Sequence, residues 1–215
     1  IKKIENFCEV AKMSEKEKML NGDFYDPTDP ELAQLRINAH NLCLKYNQTS
    51  EQLTEQRDEF LRELMPNISP DSFIQGPVHV DYGKFIYAGS GFYANFNFTV
   101  LDSCPVHIGH DVMIGPNVSL MTAMHPLRFQ ERNLKTRKNG EKYTIEYAKP
   151  ITIGDNCWIA SNVTVIGGVN IGNGCVIGAG SVVTKDIPDN CLAVGNPCRI
   201  VKTITDADDM HGKTK

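Results

Sequence analysis

Six consecutive hexads decide the fold: "ITIGDNCWIASNVTVIGGVNIGNGCVIGAGSVVTKD", residues 151–186, repeats a six-residue unit without insertion or deletion. Each unit has an aliphatic residue at its third position, namely Ile153, Ile159, Val165, Ile171, Ile177 and Val183. A hexad of this kind is a short strand followed by a turn whose Gly or Asn tolerates a positive φ. Three hexads form one triangular coil, so the pattern predicts stacked parallel coils in which each inward residue lies on its equivalent 18 residues away.

The same register extends upstream. It holds at Ile108, Ile114 and Leu120, and a weaker version is present at Val80, Ile86, Phe92 and Phe98. We therefore predict a mainly β fold, a left-handed parallel β-helix over residues 70–203, although parallel crossovers are normally right-handed. The alternative is an ordinary β-sandwich with Gly-rich turns. Six hexads without an indel make that alternative unfavourable.

The N-terminal third has a helical pattern. Ser14 with Glu17 matches a capping box that begins a first helix, and Asp29-Pro30 matches the start of a second. A third helix is predicted over residues 50–64, from "SEQLTEQRDEFLREL". The predicted organisation is a helical domain at 1–65, the β-helix at 70–203 and a polar tail at 204–215 that we expect to fray.

Composition limits the function. A net charge of -4 for 215 residues argues against a general binder of nucleic acid or anionic membranes. No apolar run approaches the roughly 18 residues of a membrane span. The segment "IKKIENFCEVAKM" lacks the apolar region of a signal peptide, and the seven cysteines form no C-x-x-C pair. We therefore expect a cytoplasmic protein with reduced thiols.

The hexads break off in "VSLMTAMHPLRF", residues 118–129. After Leu120 the next aliphatic slot falls on Pro126, and the register resumes only at Ile153. We predict that about 126–150 leave the β-helix as a structureless loop, and loops of this length are usually functional or disordered. His125 precedes the loop in an outward slot. The residue types alone leave three roles open for it: a surface histidine, a metal ligand or a general base.

Several motifs, in order, resemble those of one family. They are "SEKEKMLNGDFYDPTDPEL", "FYANFNFTVLDSCPVHIG", "IGPNVSLMTAMHP", "RKNGEKY", "ITIGDNCWIASNV", "IGAGSVVTKDIP" and "VGNPCRIV". The whole chain resembles the maltose/galactoside O-acetyltransferase group of hexapeptide-repeat acyltransferases. The resemblance implies direct acetyl transfer from acetyl-CoA to a sugar hydroxyl, with His125 as general base, a backbone N–H for the oxyanion and no required metal.

The resemblance also implies where the acceptor binds. Asn95 matches a sugar-contacting amide, and Asp26 matches an N-terminal carboxylate that reaches the acceptor. Asp81 and Tyr93 complete the expected acceptor site. From the residue types alone, Asn95 could be a turn residue, Asp26 part of an Asp-Pro turn and Tyr93 a packing residue.

For the donor, the family resemblance implies contacts along the pantetheine and at the phosphate or adenine end. The residues are Trp158, Ser161, Ala179, Thr184, Lys185, Arg199 and Lys202. Arg199 and Lys202 could equally be solvated charges, and Trp158 could lie in a subunit interface. Members of this group are typically homotrimers with active sites between neighbouring subunits, and we expect the same here.

Three alternatives remain open at this stage. The same chemistry could act on a xenobiotic or amino-sugar acceptor. A zinc hydratase similar to the γ-class carbonic anhydrases would need convergent ligands, and the candidates are His79, His107 and His110. A binding solenoid without activity would keep only the fold.

Overall fold

Helices form the N-terminal part of the chain. The computed structural model describes residues 13–211. Its helices are α1 (Glu15–Asn21), α2 (Pro30–Gln48), α3 (Thr54–Leu64) and the short α4 (Phe129–Arg132). Residues 1–12, which include most of the segment that led us to expect a cytoplasmic protein, and 212–215 of the tail lie outside the described residues.

The helix starts follow from their caps. The Ser14 hydroxyl accepts a hydrogen bond from the Glu17 N–H, and the Glu17 carboxylate accepts one from the Ser14 N–H, which confirms the capping box of α1. The Asp29 side chain accepts from the first N–H groups of α2, as predicted. The predicted start of the third helix was wrong by four residues. Residues 50–53 form a turn instead, closed by the Leu53 N–H to the Ser50 carbonyl at 3.0 Å.

The rest of the described chain is built from short strands. In chain order they are β1 (Phe73–Ile74), β2 (Val78–Val80), β3 (Ile86–Ala88), β4 (Tyr93–Ala94), β5 (Phe98–Leu101), β6 (Val106–Ile108), β7 (Met113–Ile114), β8 (Ser119–Met121), β9 (Ala123–Met124), β10 (Lys135–Thr136), β11 (Lys142–Tyr143), β12 (Tyr147–Ala148), β13 (Ile151–Ile153), β14 (Trp158–Ile159), β15 (Thr164–Ile166), β16 (Asn170–Ile171), β17 (Val176–Ile177), β18 (Val182–Val183), β19 (Cys191–Val194) and β20 (Arg199–Thr203).

Three parallel sheets form the faces of a β-solenoid of about 6 turns, which confirms the predicted β-helix. The first face is β1-β4-β7-β14-β17-β19, extended by the antiparallel β20. The second face is β2-β5-β8-β15-β18, and the third is β3-β6-β13-β16. The chain passes from the first face to the second, then to the third. We call the two corners it turns on this path the first–second edge and the second–third edge.

The core fills the solenoid. The predicted inward residues of 151–186 are buried, and Ile153 lies opposite Ile171 with the expected offset of 18. In the earlier coils the offset is 20, as between Val80 and Val100. Ile86, Phe92 and Phe98 are buried, as expected of inward residues. None of them, however, occupies the position in its strand that Leu120 occupies in its own. Our register there was wrong because the second–third edge contains two additional residues in each of these coils.

Buried polar groups hold these longer corners and the helices in place. The Asp102 carboxylate accepts hydrogen bonds from the Tyr82 and Phe85 N–H groups, which closes the corner between β2 and β3. On the other side, the Arg57 guanidinium of α3 donates to the Ile74 and Thr49 carbonyls and so joins the helices to the first coil. Through these contacts the helical part packs against the side of the first coils of the solenoid.

In the polar tail, Asp206–Asp208 form a 3-10 turn, and Lys202 pairs with Asp208. Within residues 13–211, no helix has both the length and the apolar character needed to cross a bilayer.

Candidate active site

His125 lies at the base of the loop on the second–third edge. It follows β9, which pairs antiparallel with the returning strand β12, Met124 lying opposite Tyr147. Its side chain is 52% exposed, consistent with the outward slot expected for it. The prediction of a structureless loop between these strands is wrong, because the loop contains α4 and the hairpin β10–β11. The two-stranded base keeps the imidazole near the point where the chain returns to the solenoid.

Glu146 is a site residue that the sequence analysis missed. Its Oε1 lies 3.9 Å from the Nε2 of His125, and its Oε2 accepts a hydrogen bond of 2.9 Å from the Tyr25 hydroxyl. Reciprocal backbone hydrogen bonds between Tyr25 and Glu146, of 3.0 and 3.1 Å, fix the two segments together. Burial strongly raises the pKa of the Tyr25 phenol, which therefore remains a proton donor at neutral pH. The carboxylate of Glu146 is thus held beside the imidazole.

Asp26 faces the loop hairpin. Its Oδ1 accepts hydrogen bonds from the Thr28 N–H and hydroxyl at 3.0 and 2.7 Å, and its Oδ2 pairs with the Arg137 guanidinium. Partial burial alone would raise the pKa of Asp26, but the hydrogen bonds from Thr28 and Arg137 outweigh it and hold the pKa below its usual value. Arg137 also lies over the Tyr143 ring, 4.4 Å from its centroid. These contacts fasten the loop hairpin to the helical region.

Asp81 lines a cavity of about 340 Å³ next to His125. The cavity is also lined by Tyr25, Arg36, Ser103 and Glu146. Burial raises the pKa of Asp81, although His40 and Arg36 partly oppose the rise. The structure therefore brings His125, Asp26 and Asp81 to one part of the surface, the second–third edge and the helical segment packed against it.

Asn95 and Tyr93 lie elsewhere. Asn95 follows β4 on the first–second edge, and its Oδ1 accepts a hydrogen bond from the next N–H, that of Phe96. It does not have the left-handed φ of a turn asparagine; Asn97 does, at 59°. Tyr93 points outward from the first face and stacks on Phe73 with ring centroids 6.0 Å apart. About five residues of extended chain, roughly 16 Å, separate the first–second edge from the second–third edge.

The expected donor residues divide between the same two edges. Ser161 and Ala179 are on the first–second edge with Asn95, where the Gly180 N–H donates to the Ser161 carbonyl. Beside them on the first face, Trp158 is 50% exposed. Thr184 and Lys185 are exposed and follow β18 on the second–third edge, the same edge as His125 but in a later coil. On β20, Arg199 is exposed, and Lys202 is the residue already paired with Asp208.

The three histidines considered for zinc do not converge within the chain. His79 is on the second face, and His107 is on the third face, stacked on Tyr87 with centroids 4.9 Å apart. His110 is at the corner before the first face, where its Nδ1 accepts a hydrogen bond from the Ser90 N–H. Among residues 13–211, no group of three or more His, Cys, Asp or Glu side chains is arranged to hold a metal ion.

Comparison with known proteins places these features in a family. Residues 18–69 match the maltose acetyltransferase hexapeptide capping motif, and 150–185 match the bacterial transferase hexapeptide family of six repeats. The chain is 39% identical to the galactoside O-acetyltransferase of Escherichia coli K12, over 91% of this chain and 92% of that protein.

Two solved structures are similar over nearly the whole fold. One is a maltose O-acetyltransferase from Clostridium difficile 630, with a TM-score of 0.81 and 43% identity, over 90% of this chain and 99% of that one. The other is a galactoside acetyltransferase in complex with coenzyme A, with a TM-score of 0.82 and 38% identity, over 92% of this chain and 94% of that one. Identity and coverage at this level confirm the family resemblance found in the sequence.

Proposed function

Because the chain belongs to the maltose/galactoside O-acetyltransferase family of hexapeptide-repeat acyltransferases, we propose that it transfers an acetyl group from acetyl-CoA to a sugar hydroxyl. The observation that carries this proposal is the half-exposed imidazole of His125 beside the carboxylate of Glu146, which itself lines a cavity with other polar side chains. An acetyl transferase needs a base at the hydroxyl, and this arrangement supplies one.

In the proposed reaction, His125 accepts the proton of the hydroxyl while the oxygen attacks the thioester carbonyl carbon. A backbone N–H stabilises the oxyanion of the tetrahedral intermediate. The C–S bond then breaks, and the proton on His125 passes to the sulfur to give the acetylated sugar and CoA. Direct transfer needs no acyl-enzyme. Glu146 stabilises the imidazolium that forms in the middle of this sequence.

Acceptor binding follows from the cavity. Asp81 lines it and offers carboxylate oxygens to sugar hydroxyls. Asp26 borders the neighbouring recess with Arg137 of the loop hairpin, and we assign it to the acceptor on the family resemblance. Carboxylates accept hydrogen bonds from adjacent hydroxyls, a pattern that suits a carbohydrate.

The separation of the two edges favours an oligomer. Asn95 and Tyr93, with the donor residues Ser161, Ala179 and Trp158, lie on one side of the second face, and His125 lies on the other. A head-to-tail trimer that brings the first–second edge of one copy to the second–third edge of the next would complete each site. In that arrangement Thr184 and Lys185, with Arg199 and Lys202, supply polar and cationic groups toward the phosphate and adenine end of acetyl-CoA.

The test is acceptor-dependent release of the CoA thiol from acetyl-CoA, measured with hexoses, disaccharides, thiogalactosides, amino sugars and hydroxyl-bearing drugs. We expect turnover with sugar hydroxyls and a decrease of about 100-fold or more in His125→Ala. His211→Ala, which removes a fully exposed histidine of the tail, is the matched control. Turnover with amines or drugs alone would overturn the sugar assignment, and a fully active His125→Ala would overturn the mechanism.

A further inference from the structure

A second cavity lies on the other side of Asp81. It has a volume of about 360 Å³ between α2 and the second face. His40 and Leu44 of α2 line one wall, and His79 and Leu101 of the second face line the other. Asp81 belongs to both this cavity and the 340 Å³ cavity beside His125. Asp81 is therefore the residue that the two adjacent cavities share.

The lining of this second cavity combines apolar and polar groups. Leu44 is an aliphatic lining residue that is 55% exposed. Both imidazoles are exposed, and neither hydrogen-bonds to another residue in the described part of the chain. Sugar rings present apolar C–H faces as well as hydroxyls, and a few polar groups on an apolar lining is the usual composition of a small-ligand site.

The size of each cavity limits its occupant. Both volumes lie near the lower end of the range of about 300–1,000 Å³ that is typical of small-molecule pockets. Each cavity therefore suits one ring rather than two. A ligand with two linked rings could fill both and pass over Asp81, whose two oxygens can accept hydrogen bonds from hydroxyls on either side.

We propose that the cavity between His40 and His79 is a second acceptor subsite, which binds the aglycone ring or second sugar of a glycoside whose reacting ring lies at His125. This inference rests on the proposed sugar acetylation. It adds that His40, His79 and Leu44 determine specificity. The two histidines hydrogen-bond to the second ring and Leu44 packs against its apolar face, so they act through binding of the acceptor and not through the chemical step.

The test compares two acceptors that differ only in the second ring: a methyl glycoside and a phenyl glycoside or disaccharide of the same sugar. We expect His40→Ala combined with His79→Ala to lower kcat/KM for the two-ring acceptor by about tenfold, the effect of losing one or two hydrogen bonds. The decrease should come from a higher KM, and kcat/KM for the methyl glycoside should change much less, because the methyl group does not enter the second cavity.

Two further variants sharpen the result. Leu44→Trp should fill the subsite and discriminate against the two-ring acceptor without replacing a histidine. His107→Ala is the matched control, because His107 occupies the corresponding outward position on the third face. Equal effects on both acceptors, or an unchanged ratio in an active enzyme, would overturn the subsite alone. A wild-type protein that turns over neither glycoside would overturn the proposed sugar acetylation, and the subsite with it.

Discussion

Replacing Glu146 with Gln tests whether the carboxylate beside His125 contributes to catalysis. The substitution keeps the shape of the side chain and an acceptor for the Tyr25 hydroxyl, but it removes the charge. Two unit charges about 4 Å apart interact by roughly 1 kcal/mol in water and about 4 kcal/mol at an effective dielectric constant of 20. His125 is half exposed and Glu146 is 21% exposed, so the interaction lies between these limits.

The expected loss of transition-state stabilisation is therefore about 1.4–2.7 kcal/mol, or a 10- to 100-fold lower kcat. The KM for acetyl-CoA should change little, because the imidazolium forms only during the reaction. The assay is CoA-thiol release at saturating acceptor. Glu131→Gln removes a carboxylate from the same loop, where it pairs with Arg128 instead, and is the control. A Glu146→Gln enzyme with wild-type kcat would refute the assigned role.

Three predictions concern stability, measured by denaturant unfolding at fixed protein concentration. Arg57→Ala should cost about 2–4 kcal/mol because it removes the guanidinium that donates to the Thr49 and Ile74 carbonyls and to the buried Tyr46 hydroxyl, whereas the exposed Arg62→Ala should cost little. Gly83→Ala should destabilise more than Gly140→Ala: both have a positive φ, but only at Gly83 would a Cβ lie 2.3 Å from a backbone oxygen, that of Leu64. Burial raises the pKa of Asp102 to about 6. The contribution of Asp102 to the free energy of unfolding is therefore fully present below about pH 4, where the carboxyl is protonated, and is lost as the pH rises through 6 and the buried group ionises. Asp102→Asn does not ionise, so between pH 4 and pH 7 its free energy of unfolding should rise relative to that of the wild type by up to about 3 kcal/mol. Equal differences between variant and wild type at both pH values would contradict this.

The repeats and the helix caps could be predicted because their causes are local. The inward slots of residues 151–186 follow from a strict six-residue period, and Ser14 and Asp29 begin their helices by contacts within a few residues. The register between Val80 and Phe98 could not be predicted in this way. It depends on the corner at Gly83, whose extra residues are held by the buried Asp102 from the next coil.

The site was only partly predictable for the same reason. His125 was found because the period stops there. Glu146 was missed because its role depends on Tyr25, 121 residues away in the sequence. The signal available was weak: among the three acidic residues of the loop, Glu146 is the one directly before the strand that returns to the solenoid. The hairpin that carries Arg137 was likewise missed because Asp26, far away in the chain, fastens it.

In the proposed trimer, acetyl transfer requires His125 of one copy and Asn95 of the next. The most direct measurement mixes His125→Ala and Asn95→Ala subunits, unfolded together and refolded, and compares acceptor-dependent CoA release with each variant refolded alone. Each mixed trimer would contain one intact site, so we expect recovery of up to about a quarter of wild-type activity at equal proportions. If each site is contained within one chain, no intact site can form, and activity that stays at the level of the separate variants would contradict a site shared between neighbouring copies.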